Sequence, residues 1–459
     1  MTGHGIVTPG GDFRERGAHA VADPELQRAL RNLDRRLRTA QQSASAHPEW
    51  KDRAAAIRRE TLRDLDGWLD RLEAKLKENG VQVHHAATPA DARRIVLDLA
   101  RARAARTVVK SKSMATEEID LGTALEAAGI RSIETDLGEY IVQLADERPS
   151  HMITPAIHKT LPQIRDVLAR EAGRELPVDR EALTTWARER LRSEFLRADL
   201  GITGVNFAAA DTGTLVLVTN EGNGRFCTTV PRVHIALMPI EKVVPRLADV
   251  AVLLPLLTSH ATGQPLTNYV NMLTGPRRDG ELDGPDELHV VVLDNRRRTL
   301  LGTKYEEMLA CIRCGACLNV CPVYRNVSGH AYDAVYSGPM GKVLTPLLSG
   351  GTEGIDLPYG SSLCHACTDA CPVKIPLGDL IVELRADYPA PTAPSRRARR
   401  LFWNAWARAW SSPRGYRLST AAARSTRGHA PGLGAWTRTR VLPRPAPEPF
   451  RDRWARERG

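Results

Sequence analysis

The chain has 459 residues, of which 42% are hydrophobic, 26% charged and only 5% aromatic; this is the composition of a soluble globular protein too long for one core, so two or three domains are expected. No run of 18 or more apolar residues occurs, and the longest candidate, Val250 to Leu257, is interrupted by Pro255, which excludes a spanning helix. The net charge of +10 is concentrated in residues 390–459, where 16 Arg and no Lys stand against three acidic residues; the remainder carries −3, so a basic, nucleic-acid-binding body is excluded.

Residues 1–22 are Gly-rich and read as disordered. Leu26, Leu30, Leu33 and Leu37 then recur at helical spacing, and a second helix spans about Ala54 to Lys77 before the stop signal Asn79-Gly80. Residues 1–79 thus form an N-terminal helical segment. From Val81 the pattern alternates. Val81 to Val83 is a strand, Pro89 to Ala102 a helix, Thr107 to Val109 a strand, Thr116 to Ala128 a helix and Ser132-Ile133 a strand. Such alternation predicts a parallel sheet. Gly213 to Asn220 (GTLVLVTN) is strongly β, and Glu221-Gly222-Asn223-Gly224 reads as a turn into a second strand, Arg225 to Val230, completing a hairpin. Val233 to Met238 and His289 to Leu293 read as buried strands. Residues 80–298 are one α/β domain on this reading. Residues 299–389 change to cysteines, Gly-Pro turns and helices, and a Pro-rich linker (YPAPTAP) leads into the Arg-rich tail, 390–459.

The cysteines carry the chemistry. The N-terminus lacks a secretory signal, so the expected compartment is the cytoplasm, where clustered thiols mean metal and not disulfides. The first block is Cys311-x2-Cys314-x2-Cys317-x3-Cys321-Pro322 and the second is Cys364-x2-Cys367-x3-Cys371-Pro372. In such runs three thiolates wrap one cubane cluster and the cysteine before proline ligates the other. Cluster one is then Cys311, Cys314, Cys317 and Cys371; cluster two is Cys321, Cys364 and Cys367. Zinc ribbons use paired C-x2-C knuckles and not this doubled Cys-Pro ending. Two [4Fe-4S] clusters are expected.

The second block lacks one cysteine, with Ser361 where a full motif has Cys. Cluster two is therefore read as [4Fe-4S] with a non-cysteine ligand (Ser361, water or a partner group), as [3Fe-4S], or as a cluster whose open iron binds something; the first is favoured. His365 reads as an orienting or exposed side chain. Cys227 reads as a buried small hydrophobe.

These blocks, with Gly329-His330-Ala331-Tyr332, Tyr336-Ser337-Gly338-Pro339, Ala210-Asp211-Thr212-Gly213-Thr214 and Asn220-Glu221-Gly222-Asn223-Gly224-Arg225, resemble the lactate utilisation protein B family over roughly residues 50–390. Pro231 to Ile235, Asp283-Gly284-Pro285 and Asp294-Asn295 add to the likeness. The resemblance implies an α/β lactate-utilisation domain similar to the CoA-transferase/ribose-5-phosphate-isomerase fold, followed by an α-helical ferredoxin domain. It implies a non-catalytic electron-transfer subunit of L-lactate oxidation to pyruvate. It also implies two partners, a glycolate-oxidase-like iron–sulfur subunit and a small third subunit. Three cysteines in the second block are usual in the family. The tail departs from it, being longer and more Arg-rich than the resemblance leads one to expect.

Two other readings stand beside the relay: a self-sufficient 2-hydroxy-acid oxidoreductase and an iron–sulfur redox sensor. Glu221-Gly222-Asn223-Gly224 lacks the helix and Lys of a phosphate loop. His84, His85, His151 and His158 fit no metal spacing, and no catalytic residues are identified. In the tail, Trp403, Trp406 and Trp410 share one helix face among arginines. That face packs on the protein's own body, docks a partner subunit or lies peripherally on an anionic membrane.

Overall fold

The structure, a computed structural model, describes residues 11–31, 48–389, 396–425 and 446–458. It divides into two compact units, residues 1–390 and 391–459.

The larger unit is built on ten strands among its described residues: β1 (Gln82–Ala86), β2 (Thr107–Lys110), β3 (Arg131–Glu134), β4 (Leu200–Gly204), β5 (Phe207–Ala209), β6 (Thr214–Thr219), β7 (Val233–Pro239), β8 (Val243–Val244), β9 (Tyr269–Leu273) and β10 (Glu287–Leu293). Six form a parallel sheet in the order β1-β10-β7-β4-β2-β3; the other four form a smaller mixed sheet, β8-β5-β6-β9. Parallel strands are covered on both faces, and the side chains divide accordingly. Val233, Ile235, Leu237, Val291 and Leu293 enter one apolar cluster, while Ala236, Met238, Val290 and Val292 enter the other with Leu65, Leu69, Leu72 and Leu76. Helix Pro89–Ala102 keeps its expected bounds because Thr88 and Asp91 cap each other's backbone N–H groups.

Several sequence expectations are corrected. Residues 13–22 are helical, with Asp12 accepting from the Arg14 and Glu15 N–H groups, and Phe13 buries its ring 4.9 Å from Tyr332. The first ten residues, and Leu33 and Leu37, lie outside the described residues. The helix read over 54–77 is two, Pro48–Arg63 and Leu65–Glu78, separated at Asp64. The helix read over 116–128 is also two, Met114–Glu118 and Leu121–Ala127, because Asp120 takes a left-handed conformation. The hairpin does not form. Residues Asn223–Thr229 are a helix, entered through Gly222 at φ 75°, and β6 pairs instead with β5 and β9. That helix lies so close to β4 that a Cβ on Gly201 would sit 1.8 Å from the Cys227 carbonyl oxygen. The apolar run at 250–257 is the buried side of helix Leu247–Thr262, which carries Pro255 internally.

Residues 299–389 contain short helices and 3-10 turns and no strand among the described residues. The change of character near 299 is not a gap in packing. One apolar cluster runs from Phe13, Ala54 and Val216 through Leu253 and Leu257 to Leu318, Tyr324, Leu344 and Leu380. In the smaller unit, helices Arg396–Ser411, Pro413–Ser425 and Phe450–Arg458 are described. Trp403, Trp406 and Trp410 do share a face, with ring centroids 5.6 and 5.2 Å apart, and all three are exposed.

Candidate iron–sulfur centre

The two cysteine blocks fold into the same loop twice. In the first, Arg313 (φ 61°) and Gly315 (φ 77°) are left-handed on either side of Cys314; in the second, Leu363 (φ 54°) and His365 (φ 60°) repeat this around Cys364. Alternating handedness turns successive backbone N–H groups to one side and makes an anion-binding concavity, as an anionic sulfide cluster requires. Ser361 therefore occupies in the second loop the position of Cys311 in the first. His365 supplies the turn and packs its ring over Gly378, where an added Cβ would meet Nδ1 at 2.5 Å.

Cys371 leaves its own block. With Cys311, Cys314 and Cys317 it lines one small cavity, walled by Met152, Ile312, Met340 and Ile375. Burial pushes Cys371 up to about 11, and burial with the charge of the neighbouring thiolates pushes Cys314 and Cys317 higher still. Cys314, Cys317 and Cys371 are thus poor thiolates alone and good ones around a cation; with Cys311 the donor set fits an iron cluster. Backbone donors point at the sulfurs, with the Ile375 N–H 3.4 Å from Cys371 Sγ.

Cys321, Cys364 and Cys367 gather around Lys342. Its charge acts on all three sulfurs, its Nζ is 3.9 Å from Cys321 Sγ, and it donates to the Gly360 carbonyl at 2.8 Å. Short helices Ala316–Val320 and Ala366–Asp369 pack together, joining the blocks. Cys364 is exposed, unlike the other two. Ser361 is half-buried; its Oγ accepts from the Leu363 N–H at 3.2 Å and its carbonyl accepts from Arg385 at 2.9 Å.

Buried ions seat the first block on the α/β domain. Arg58, fully buried, donates to the carbonyls of Glu241, Val243, Leu309 and Ala310, clamping the chain immediately before Cys311. Arg313 pairs with Glu241 at 2.9 Å, and Arg297 lies 2.6 Å from both Glu241 and Glu118. Burial raises the Glu118 carboxyl, but Arg297 outweighs it and holds the group below the ordinary range. Asn319, between Cys317 and Cys321, meets His151 at 3.3 Å and donates to the His260 carbonyl at 3.4 Å.

Beside this seat lies a cavity of about 950 Å³ at the carboxyl ends of β2, β4 and β7, lined by Ser111, Lys112, Asp136, Asn206, Glu221 and Lys242 among others. Arg313 and Met152 wall both this cavity and the one among the cysteines. Burial and the adjacent Arg313 guanidinium pull Lys242 down to about 8. Sequence reasoning missed this site; its one local signal was Lys-Ser-Lys-Ser directly after a strand. Cys227 is fully buried with Thr135 Oγ1 at 3.4 Å, and burial pushes its thiol up to about 12, as suits a core residue. His84 bonds His289, His85 and His158 bond Glu73 and Glu147, and none joins a metal-competent group among the described residues. Such a group, Glu117, Glu134 and Glu139, surrounds the Lys110 ammonium, which lies 2.9 and 2.6 Å from the first two.

Residues 69–293 match the LUD domain, 307–375 the 4Fe-4S dicluster domain and 392–459 the C-terminal domain of lactate utilisation protein B. Lactate utilization protein B of Shouchella clausii is 44% identical over 462 residues, 97% of each chain. The chain belongs to the lactate utilization protein B family. The Geobacillus kaustophilus member is 46% identical over 416 residues, 88% of this chain and 87% of that one. An Escherichia coli relative named "Uncharacterized electron transport protein YkgF" is 48% identical over 384 residues, 83% of this chain and 81% of its own. The fold is the expected one, a parallel α/β domain followed by a helical dicluster domain that binds iron–sulfur. The Arg-rich tail is no departure from the family, because the C-terminal family domain spans it. No helix among the described residues is long and apolar enough to cross a membrane.

Proposed function

We propose that this chain is the iron–sulfur relay of an L-lactate oxidation system, carrying electrons released as lactate becomes pyruvate. Cys311, Cys314, Cys317 and Cys371 hold one [4Fe-4S] cluster; Cys321, Cys364 and Cys367 hold a second, whose fourth position is not a cysteine. The observation that carries this reading is Cys371, which joins the three cysteines of the other block around one cavity. When bound, each cluster supplies one-electron storage within a range of roughly −700 to +450 mV. The protein sets the rest: buried thiolates, backbone N–H groups aimed at sulfur, and cations beside each set. Its partners are a glycolate-oxidase-like iron–sulfur subunit and a small third subunit, and its compartment is the cytoplasm.

The test is the anaerobically reconstituted protein with and without its partners. Alone it should not oxidise lactate with an artificial acceptor; with them its clusters should be reduced by lactate. The large cavity beside the first cysteine set favours a second reading, a self-sufficient 2-hydroxy-acid oxidoreductase. Lactate turnover by the isolated chain would establish that reading and displace the relay.

A further inference from the structure

The smaller unit carries an aromatic surface and charge of one sign, neither of which the relay needs. Trp403, Trp406 and Trp410 of helix Arg396–Ser411 are 53%, 44% and 44% exposed, and Phe402 beside them is 62% exposed. Every exposed tryptophan among the described residues lies in this unit. Tyr416 of helix Pro413–Ser425 stands edge-on to Trp410 at 5.2 Å, so the aromatic surface continues onto the second helix. Contiguous aromatic surface is costly in water and marks a face that docks.

The charges select what covers it. At 3.6 residues per turn, Arg397, Arg400, Asn404, Arg408 and Ser411 fall on the side of the first helix opposite Phe402, Trp406 and Trp410. Arg399, in the first turn, is the charged position on the aromatic side. Arg414, Arg417 and Arg424 share one side of the second helix. Residues 396–425 hold eight arginines and no acidic residue, so no carboxylate within these helices neutralises them. The chain before residue 390 carries a net −3, and attraction to an anionic surface comes from the tail alone. A protein covering this face would have to bring matching carboxylates. An anionic bilayer presents phosphate at every point, and guanidinium pairs phosphate bidentately. Indole suits the same place, with an apolar body for the acyl boundary and an N–H for the headgroups. With 16 residues, five of them arginine, the first helix is too short and too charged to span. We propose that helices Arg396–Ser411 and Pro413–Ser425 lie in the plane of an anionic lipid surface, aromatic side inward and arginines at the phosphates.

The test is anaerobic co-sedimentation of the full-length, cluster-loaded protein with vesicles of phosphatidylglycerol and phosphatidylcholine in equal parts, and with phosphatidylcholine alone. The protein should pellet with the anionic vesicles and not with the neutral ones, and added salt should release it. Replacing three arginines together, Arg397→Gln, Arg400→Gln and Arg408→Gln, should weaken partition on the order of 100-fold, the usual worth of three basic residues at such a surface. Replacing the indoles together, Trp403→Ser, Trp406→Ser and Trp410→Ser, should weaken it at least about ten-fold although every charge remains. Retained cluster absorption and melting temperature establish that each variant is folded. No binding to anionic vesicles, or equal binding to neutral ones, overturns the proposal. Loss in the arginine variant with none in the tryptophan variant would mean electrostatic adsorption without insertion, and overturns it too. A tryptophan variant that binds vesicles like wild type but melts lower would assign the face to packing on the protein itself. One that instead no longer co-elutes with the proposed partner subunits would assign it to a protein interface. Either assignment replaces the lipid one.

Discussion

The two cysteine sets share a loop conformation and differ in what covers them. Around the first, Cys314, Cys317 and Cys371 are each 7–8% exposed, and Arg58, Arg313 and Glu241 of a buried ion network fasten the loop to the α/β domain. Around the second, Cys364 is exposed, one corner carries Ser361, and Lys342 is the buried cation beside the sulfurs among the described residues. Loop geometry therefore does not distinguish the sites. Cover and donor number do, and both make the first site the better protected.

The largest effect should come from breaking the wiring between the two sites. Cys371→Ser should remove the cluster held with Cys311, Cys314 and Cys317, lowering iron from ~7–8 to about 4 per chain while the other cluster's signal persists. Cys321→Ser should do the converse. Iron and sulfide assays with electron paramagnetic resonance check both. Loss by each block of its own cluster as a unit would refute the crossed assignment.

Next is the seat of the first site. Glu241→Ala leaves Arg297 and Arg313 facing a lost partner in the interior, which destabilises by about 3–5 kcal/mol. Lys374→Ala, which breaks the exposed pair with Asp52 near the second block, should change stability by at most about 1 kcal/mol. Anaerobic urea unfolding measures both. Equal effects would mean that the buried network is not what separates the two sites.

Much of the comparison was legible in the sequence, because ligand spacing is local. Three residues between Cys367 and Cys371, followed by Pro372, describe a thiolate turned away from its own block. The strands were legible for the same reason, since a buried parallel strand is a short apolar run such as Val233 to Met238. What failed was non-local. Asn223-Gly224 suits a hairpin turn as well as a helix start, and the arbiter, a bare Gly201 on β4 against the Cys227 carbonyl, lies far away in sequence. Arg58 in the run Ile57-Arg58-Arg59 looks like any surface arginine until four carbonyls from two other segments converge on it. The Lys242 cavity is assembled from the ends of β2, β4 and β7, and no one of those ends announces it.

Acid should discriminate the sites more gently. His151 and His260 both contact Asn319 in the cover of the first site, and burial pulls each down to about 4. The unfolded chain binds these protons near pH 6.5 and the native chain does not, so stability is full above that pH and falls as pH drops toward 4. The slope should be about 1 kcal/mol per pH unit for each histidine. His151→Gln should flatten it when melting is followed from pH 7 to 5.5. An unchanged slope would place the acid-sensitive group outside this cover.

The smallest effect should be at the missing thiolate. On the proposed ligation, iron at the Ser361 corner should be retained by cluster sulfides and a weaker, exchangeable ligand, whereas thiolate is the soft donor that holds iron in such sites. Ser361 is in place to supply one. It repeats the position of Cys311 in a loop of the same handedness, and Lys342 ties the preceding Gly360 carbonyl to the Cys321 side of the site. Its Oγ needs only to accept from the Leu363 N–H, a bond a cysteine sulfur can also accept, so Ser361→Cys should leave the fold and the iron count unchanged. Rates should differ instead. During air titration followed by electron paramagnetic resonance, wild type should show a [3Fe-4S] signal early, from the second site, while the first site, shielded by the α/β domain, persists. In Ser361→Cys that signal should be delayed several-fold. Earlier decay of the first site would mean that cover does not govern lifetime. No delay in the variant would mean that the open corner lies away from residue 361, with its ligand drawn from another part of the fold or from a partner subunit.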